Sequence, residues 1–269
     1  MRRRARPKSA GSTHLTAATA AALPDLPAIG NPSIARGPWP VDAVRAQADA
    51  RRVLNSIDFS KRDLVIWVPD SGTHGLNTRF ADVVHDSWSG GGASLTHLEY
   101  EGSWNLRQSV ATGIATLKLV LAEIHRRGGD HRVLLAGAGQ GAWVLAEALA
   151  DASLRGQFDR AVLFGTPGFA AHRYEDGHDP RVRAITDPND VFARPVSGDA
   201  SRVLDAFIAA RQKKWYHVLT LAGGFRADPQ LGAEMFGIAL HDIPLVGHLV
   251  RNPADYTNRY SEAVDWLHG

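Results

Sequence analysis

Apolar and polar positions follow one another along this chain as short apolar runs separated by longer amphipathic stretches. Asp63-Leu-Val-Ile-Trp-Val68 is a compact apolar run with the length of a buried strand. The turn-rich segment Pro69-Asp-Ser-Gly-Thr-His-Gly75 follows it. Residues 78–88 then read as a helix and 94–100 as a second strand. Residues 106–126 place Leu106, Val110, Ile114, Leu117 and Leu121 on one helical face, and Gly128 and Gly129 end that helix. Residues 132–136 form the third expected strand, 140–150 the next helix, and 160–164 the fourth strand, which closes on Gly165-Thr166-Pro167. Residues 181–186 are a fifth strand.

Two outer helices complete the pattern. Residues 40–55 read as a helix with Pro40 in its first turn and Val41, Val44 and Val53 among its apolar positions. Residues 256–268 form a terminal amphipathic helix with Tyr260, Val264 and Leu267 facing inward. Residues 204–237 read as helices packed as a cap or flank. Strand and helix alternate with short links, so the expected fold class is α/β: a mainly parallel sheet with helices on both faces.

Residues 1–36 break the pattern. They are rich in Ala, Pro, Arg, Ser and Thr without apolar periodicity, and are expected to be an extended arm in front of a domain spanning 37–269. Arg2, Arg3, Arg4, Arg6 and Lys8 all precede the first acid, Asp25, so the arm is basic although the whole chain carries a formal net charge of only +2. A secretory leader is a weaker reading of the same stretch, because Thr16 and Thr19 interrupt its Ala-rich run. The remaining totals, 44% hydrophobic and 22% charged, are those of a globular protein long enough to bury a core. The chain has no cysteine, which excludes disulfides and thiolate metal sites. No stretch has the length of a membrane helix.

The candidate chemistry sits between the third strand and the helix after it, at Gly137-Ala-Gly-Gln-Gly-Ala142. A nucleophile elbow has the form G-x-S-x-G, in which small flanking residues allow a sharp turn that presents the central hydroxyl. Gly137 and Gly141 supply the flanks, but the central residue is Gly139, which has no side chain with which to attack a carbonyl. The segment also fits a G-x-G-x-x-A dinucleotide fingerprint. That motif needs an acid about 20 positions on, at the end of the next strand; Phe164-Gly165-Thr166 offers none.

Gln140-Gly141-Ala142 after a strand resembles the cutinases and the phage lysin B esterases that cleave mycolylarabinogalactan. Three further segments are similar to lysin B: Leu163-Phe-Gly-Thr-Pro167, Asp187-Pro-Asn-Asp-Val-Phe-Ala193, and Asn258-Arg-Tyr-Ser-Glu-Ala-Val-Asp-Trp-Leu267. The resemblance covers residues 63–269 and implies a cutinase-like α/β-hydrolase fold. It implies a triad at Gly139, Asp190 and His248, vestigial because the serine position holds glycine. A gapless match would put Asp255 where the family has its histidine, which is why His248 is taken instead. Ser71, Thr73 and Gln140 are the implied oxyanion-hole positions.

Each of these positions has a plainer reading. Asp187-Pro-Asn-Asp190 is good turn chemistry. Ser71 and Thr73 lie in a tight loop, and His248 could be an ordinary loop histidine. His172, Glu175, Asp176, His178 and Asp179 cluster in sequence, but a polar loop explains them better than a metal site. Trp88, Trp104, Trp143, Trp215 and Trp266 read as core or interface anchors. No cofactor and no metal are expected.

The function expected from sequence is a catalytically inactive lysin B-like protein serving as a structural part of an actinobacteriophage virion, as capsid decoration or minor tail protein, assembled in the host cytoplasm. The alternatives are a mycolate- or lipid-binding attachment module and an active ester hydrolase. Expected partners are other virion proteins through the arm, with a homo-oligomer and host-envelope lipid also in view. Sequence-specific nucleic-acid binding and a transmembrane segment are not expected.

Overall fold

The computed structural model describes residues 39–168 except 74, 90 and 104, together with 179–187, 190, 193, 203–206, 226, 229 and 256–269. The arm, His248, the loop residues His172 to His178, Trp104, Trp215 and most of the expected cap lie outside the described residues. The elements in order are α1 (Ala43–Ser56), β1 (Asp63–Val68), α2 (Thr78–Ser87), β2 (Ala93–His97), α3 (Leu106–Arg127), β3 (Arg132–Ala138), α4 (Gln140–Leu149), β4 (Arg160–Phe164), β5 (Val182–Ile185) and α5 (Tyr260–His268).

The five strands form one sheet in the order β2-β1-β3-β4-β5, and every pairing is parallel. Side-chain alternation divides the core in two. Leu64, Ile66, Val68, Val133 and Leu135 face α1, α3 and α4. Val65, Trp67, Leu134, Ala136, Val162 and Phe164 face α2 and α5. The second layer is aromatic: the Trp67 and Phe80 rings lie 4.6 Å apart, and Phe164 and Tyr260 meet edge-on at 5.1 Å. Because both faces are covered, β1 reads as an uninterrupted apolar run and all six of its residues are buried.

Several element boundaries differ from the sequence reading, those of the two outer helices among them. Helix α1 starts at Ala43 rather than at Pro40, because the Asp42 side chain accepts the Arg45 amide at 2.9 Å and so caps the helix there. In that register Ala46, Ala50, Val53 and Leu54 turn inward, and Val44, expected on the apolar face, is 82% exposed. The terminal helix is α-helical only from Tyr260, after a tighter turn at Thr257–Arg259. Tyr260, Val264 and Leu267 are buried in it. No described helix is long and apolar enough to cross a membrane.

The sheet order positions the site. From β1 the chain moves outward to β2, then returns past β1 to β3 and continues the other way. Strand order therefore reverses between β1 and β3. In open parallel sheets the crevice beyond the carboxyl ends of such a strand pair is where ligands bind. Asp70 follows β1 and Gly139 follows β3, so both stand at that crevice.

Candidate functional site

Gly139 links β3 to α4 with φ +51° and ψ −114°. This is a sharp, left-handed backbone that costs a residue with a side chain about 1–3 kcal/mol and glycine little. Its amide donates to Phe164 O at 2.9 Å, and its carbonyl accepts from Trp143 N at 3.1 Å. Two residues on, a Cβ at Gly141 would lie 2.1 Å from Val68 O and 2.6 Å from Pro69 O. Helix α4 thus begins pressed against the end of β1, an approach that any side chain at 141 would block.

The space above Gly139 is filled. A Cβ built there would fall 2.2 Å from Asp70 Oδ1 and 2.6 Å from Oδ2. The carboxyl of Asp70 therefore occupies the place that a side chain at the elbow would take. Its Oδ1 accepts the Gln140 amide at 2.7 Å and the Ser71 amide at 2.7 Å. These are the amide following the elbow and an amide from the loop after a neighbouring strand, the two donors that form an oxyanion hole in this kind of architecture. Here one internal oxygen satisfies both. Oδ2 makes no hydrogen bond to any described residue.

The loop that carries Asp70 is pinned on several sides. The amide and hydroxyl of Thr73 donate to Asp70 O at 3.2 and 2.7 Å. The Gly72 amide donates to Gly102 O at 2.9 Å, and the buried Tyr100 hydroxyl donates to Pro69 O at 2.7 Å. Of the expected oxyanion-hole positions, Ser71 and Gln140 bring their backbone amides together. Thr73 instead closes the turn. The Gln140 side chain points away from the hole: its amide nitrogen donates to Ser109 Oγ at 2.9 Å, and its Oε1 is buried without a partner among the described residues.

Desolvation pushes the Asp70 carboxyl above the usual carboxylate range; the Gln140 and Ser71 amides pull it back, and the charge of Asp190 adds to the rise. The residue retains part of its surface open to solvent. The start of α4 is also where the helix dipole favours an anion. A pyrophosphate placed on the G-x-G-x-x-A segment would have to displace this carboxylate from the Gln140 amide.

Asp190 stands beside it. Its Oδ2 accepts the Tyr256 hydroxyl at 2.6 Å, and its Oδ1 accepts the Ala193 amide at 3.2 Å. The same Oδ2 lies 2.8 Å from where a Cβ of Gly165 would be. Ala138 pairs with Phe164 across β3 and β4, so Gly139 and Gly165 are the next residues along two adjacent strand ends. Two carboxyl groups thus sit over neighbouring glycines at one edge of the sheet. Asp179, from the expected polar loop, is bound instead by Arg181 at 2.7 Å.

Asp70 was not a candidate from sequence. The signal available was an acidic residue directly after the first strand, at the same sheet edge as the elbow, but Pro-Asp-Ser-Gly explains itself as a turn. The contact that gives Asp70 its place links residues 70 positions apart.

No family model and no curated protein matches the sequence. Solved structures of similar shape include lysin B from a mycobacteriophage, with 16% identity and a TM-score of 0.48 over 78% of this chain and 100% of that one. An acetylxylan esterase gives 13% identity and a TM-score of 0.46 over 78% and 99%. A cutinase-like protein from Cryptococcus sp. gives 13% and 0.42 over 49% and 79%. The all-parallel sheet, its strand order and the helices on both faces give this chain a doubly wound α/β fold, with a left-handed turn from β3 into α4.

Proposed function

We propose that this chain is a non-hydrolytic protein on an esterase-type scaffold, serving as a structural component of an actinobacteriophage particle. One observation carries the first half: the elbow residue is Gly139, and Asp70 fills both the space above it and the two-amide hole beside it. An ester entering the crevice finds no hydroxyl on the elbow residue, and the Ser71 and Gln140 amides beside it are already engaged by Asp70. Loss of a single oxyanion donor costs about 10²–10³ in rate. Here both donors are engaged and the elbow residue carries no nucleophile. Support for the second half comes from the basic arm and from the segments that resemble a phage esterase.

The hydrolysis test uses p-nitrophenyl butyrate with the native chain, with Gly139→Ser, and with Gly139→Ser combined with Asp70→Ala. The native chain is expected to give no turnover above the blank, and only the double variant frees the hole for a substrate. Saturable turnover by the native chain would overturn the reading. The particle test is the protein complement of purified virions; absence of the chain from it removes the virion role.

A further inference from the structure

Strand β2 (Ala93–His97) ends the sheet on one side. The Leu98 amide donates to Trp67 O at 2.7 Å, so by the alternation of the ladder Ser94, Thr96 and Leu98 direct their backbone groups to β1. The amides and carbonyls of Ala93, Leu95 and His97 therefore point out of the sheet, and none has a partner among the described residues. Sheet edges are ordinarily blunted by a charge, a proline, a bulge or a cover. The opposite edge is: Arg183 stands within β5, and Asp179 O takes the outward Val182 amide at 2.9 Å. Strand β2 has no Lys, Arg, Asp, Glu or Pro, and its register with β1 runs without a bulge. We propose that β2 pairs antiparallel with β2 of a second copy of this chain, about a twofold axis at Leu95, so that one sheet runs through two protomers. The proposal goes beyond the function proposed above and does not rest on it.

The strand is complementary to itself. About that axis Leu95 faces the partner's Leu95, and Ala93 faces the partner's His97. Facing residues of this kind exchange two hydrogen bonds per pair, so every outward group of the strand finds a partner. No like charges are set opposite one another, because the residue that meets itself is a leucine. The two faces also match. Ser94 and Thr96 lie on the α1 side, where Ser94 Oγ accepts the Asp58 amide at 2.8 Å and Thr96 Oγ1 bonds Ser56 Oγ. Ala93 and Leu95 lie on the α2 side with Val83, all three only half-buried. A twofold axis perpendicular to the sheet keeps each face on its own side, so the half-buried apolar strip of one copy is covered by that of the other. The arm is the competing occupant. It is basic at its start and carries Pro24, Pro27 and Pro32 near its end, and proline supplies no amide to a ladder.

The test measures the mass of the full chain by sedimentation across the micromolar range. The native chain is expected to be a dimer that dissociates on dilution. Leu95→Arg sets like charges opposite each other at the axis and should raise the dissociation constant about tenfold or more. His97→Pro removes an amide that no described group of the chain uses, so the dimer should be lost while the protomer keeps its near-ultraviolet circular dichroism. The native chain has no cysteine, so Leu95→Cys supplies a single thiol, and a short bifunctional maleimide should join two copies through it. Asp130→Cys, placed where the side chain is 95% exposed between α3 and β3, should not be joined. The proposal is overturned by a monomer at every concentration, by a dimer that Leu95→Arg and His97→Pro both leave intact, or by equal joining through residue 130. A monomer whose Leu95 and His97 amides resist hydrogen exchange would assign the edge to a segment of the same chain, and that too overturns it.

Discussion

The hydroxyl of Tyr256 donates to Asp190 Oδ2 at 2.6 Å and accepts the Asp187 amide at 3.2 Å. One oxygen atom thereby ties the approach to α5 to the loop beyond β5. Burial pushes the phenol pKa well above its ordinary value, so it remains a donor throughout the working range.

Tyr256→Phe keeps the ring and removes that link. A hydrogen bond to a charged acceptor contributes about 1.5–3 kcal/mol, and the Asp187 amide also loses its acceptor. Urea denaturation should show a loss of roughly that size. A change within about 0.5 kcal/mol, typical of a neutral surface substitution, would show that the bond does not hold this edge together.

Gly139→Ala introduces a Cβ 2.2 Å from Asp70 Oδ1 on a left-handed backbone. The strain alone is worth about 1–3 kcal/mol. Because the clash is with one identified group, Asp70→Ala in the same chain should recover part of the loss. A double-mutant cycle should give a coupling of about 0.5–3 kcal/mol. Strict additivity would mean that the two residues do not compete for one space.

Asp70 also imposes a sign on the pH dependence. Its folded-state pKa is raised, so its contribution is fully present below the unfolded value and is lost as pH rises through the folded one. Asp151 behaves oppositely: Lys118 holds it at about 2, so its contribution is present above the unfolded value and is lost as pH falls towards about 2. The Tm difference, Asp70→Asn minus native, should therefore grow with pH above about 3.9, the ordinary Asp value. For Asp151→Asn the same difference should instead become more negative as pH rises from about 2 to about 3.9 and level off above that. A flat difference for Asp70→Asn from about pH 4 upward would contradict the raised pKa.

Phe80 is fully buried among Trp67 and Tyr260. Phe80→Ala should cost about 3–5 kcal/mol in chemical denaturation. A loss under about 1 kcal/mol would mean that the layer between α2, α5 and the sheet is not packed as described.

The layered architecture was legible in the sequence because local periodicity encodes it. The expected strand at 63–68 and the helix beginning at Leu106 agree with the structure, and the elbow was visible in Gly137, Gly139 and Gly141. The start of α1 was misplaced because a proline signal was weighed over the capping side chain of Asp42. Strand β3 runs two residues past the expected end, to Ala138, because Gly137 and Ala138 pair with Leu163 and Phe164. The occupant of the elbow was illegible for a stronger reason. Asp70 has good local cause to be a turn residue, and its partners become neighbours only once β1 and β3 lie side by side. No window of sequence contains both.

Because Ser71 and Gln140 grasp a single oxygen across the point where strand order reverses, two distant stretches of chain are clasped at the mouth of the crevice. An anionic guest that seeks those amides must wait for the clasp to part. Its arrival rate is then governed by the host's own breathing, and guests of unrelated shape would share one ceiling on their speed of entry.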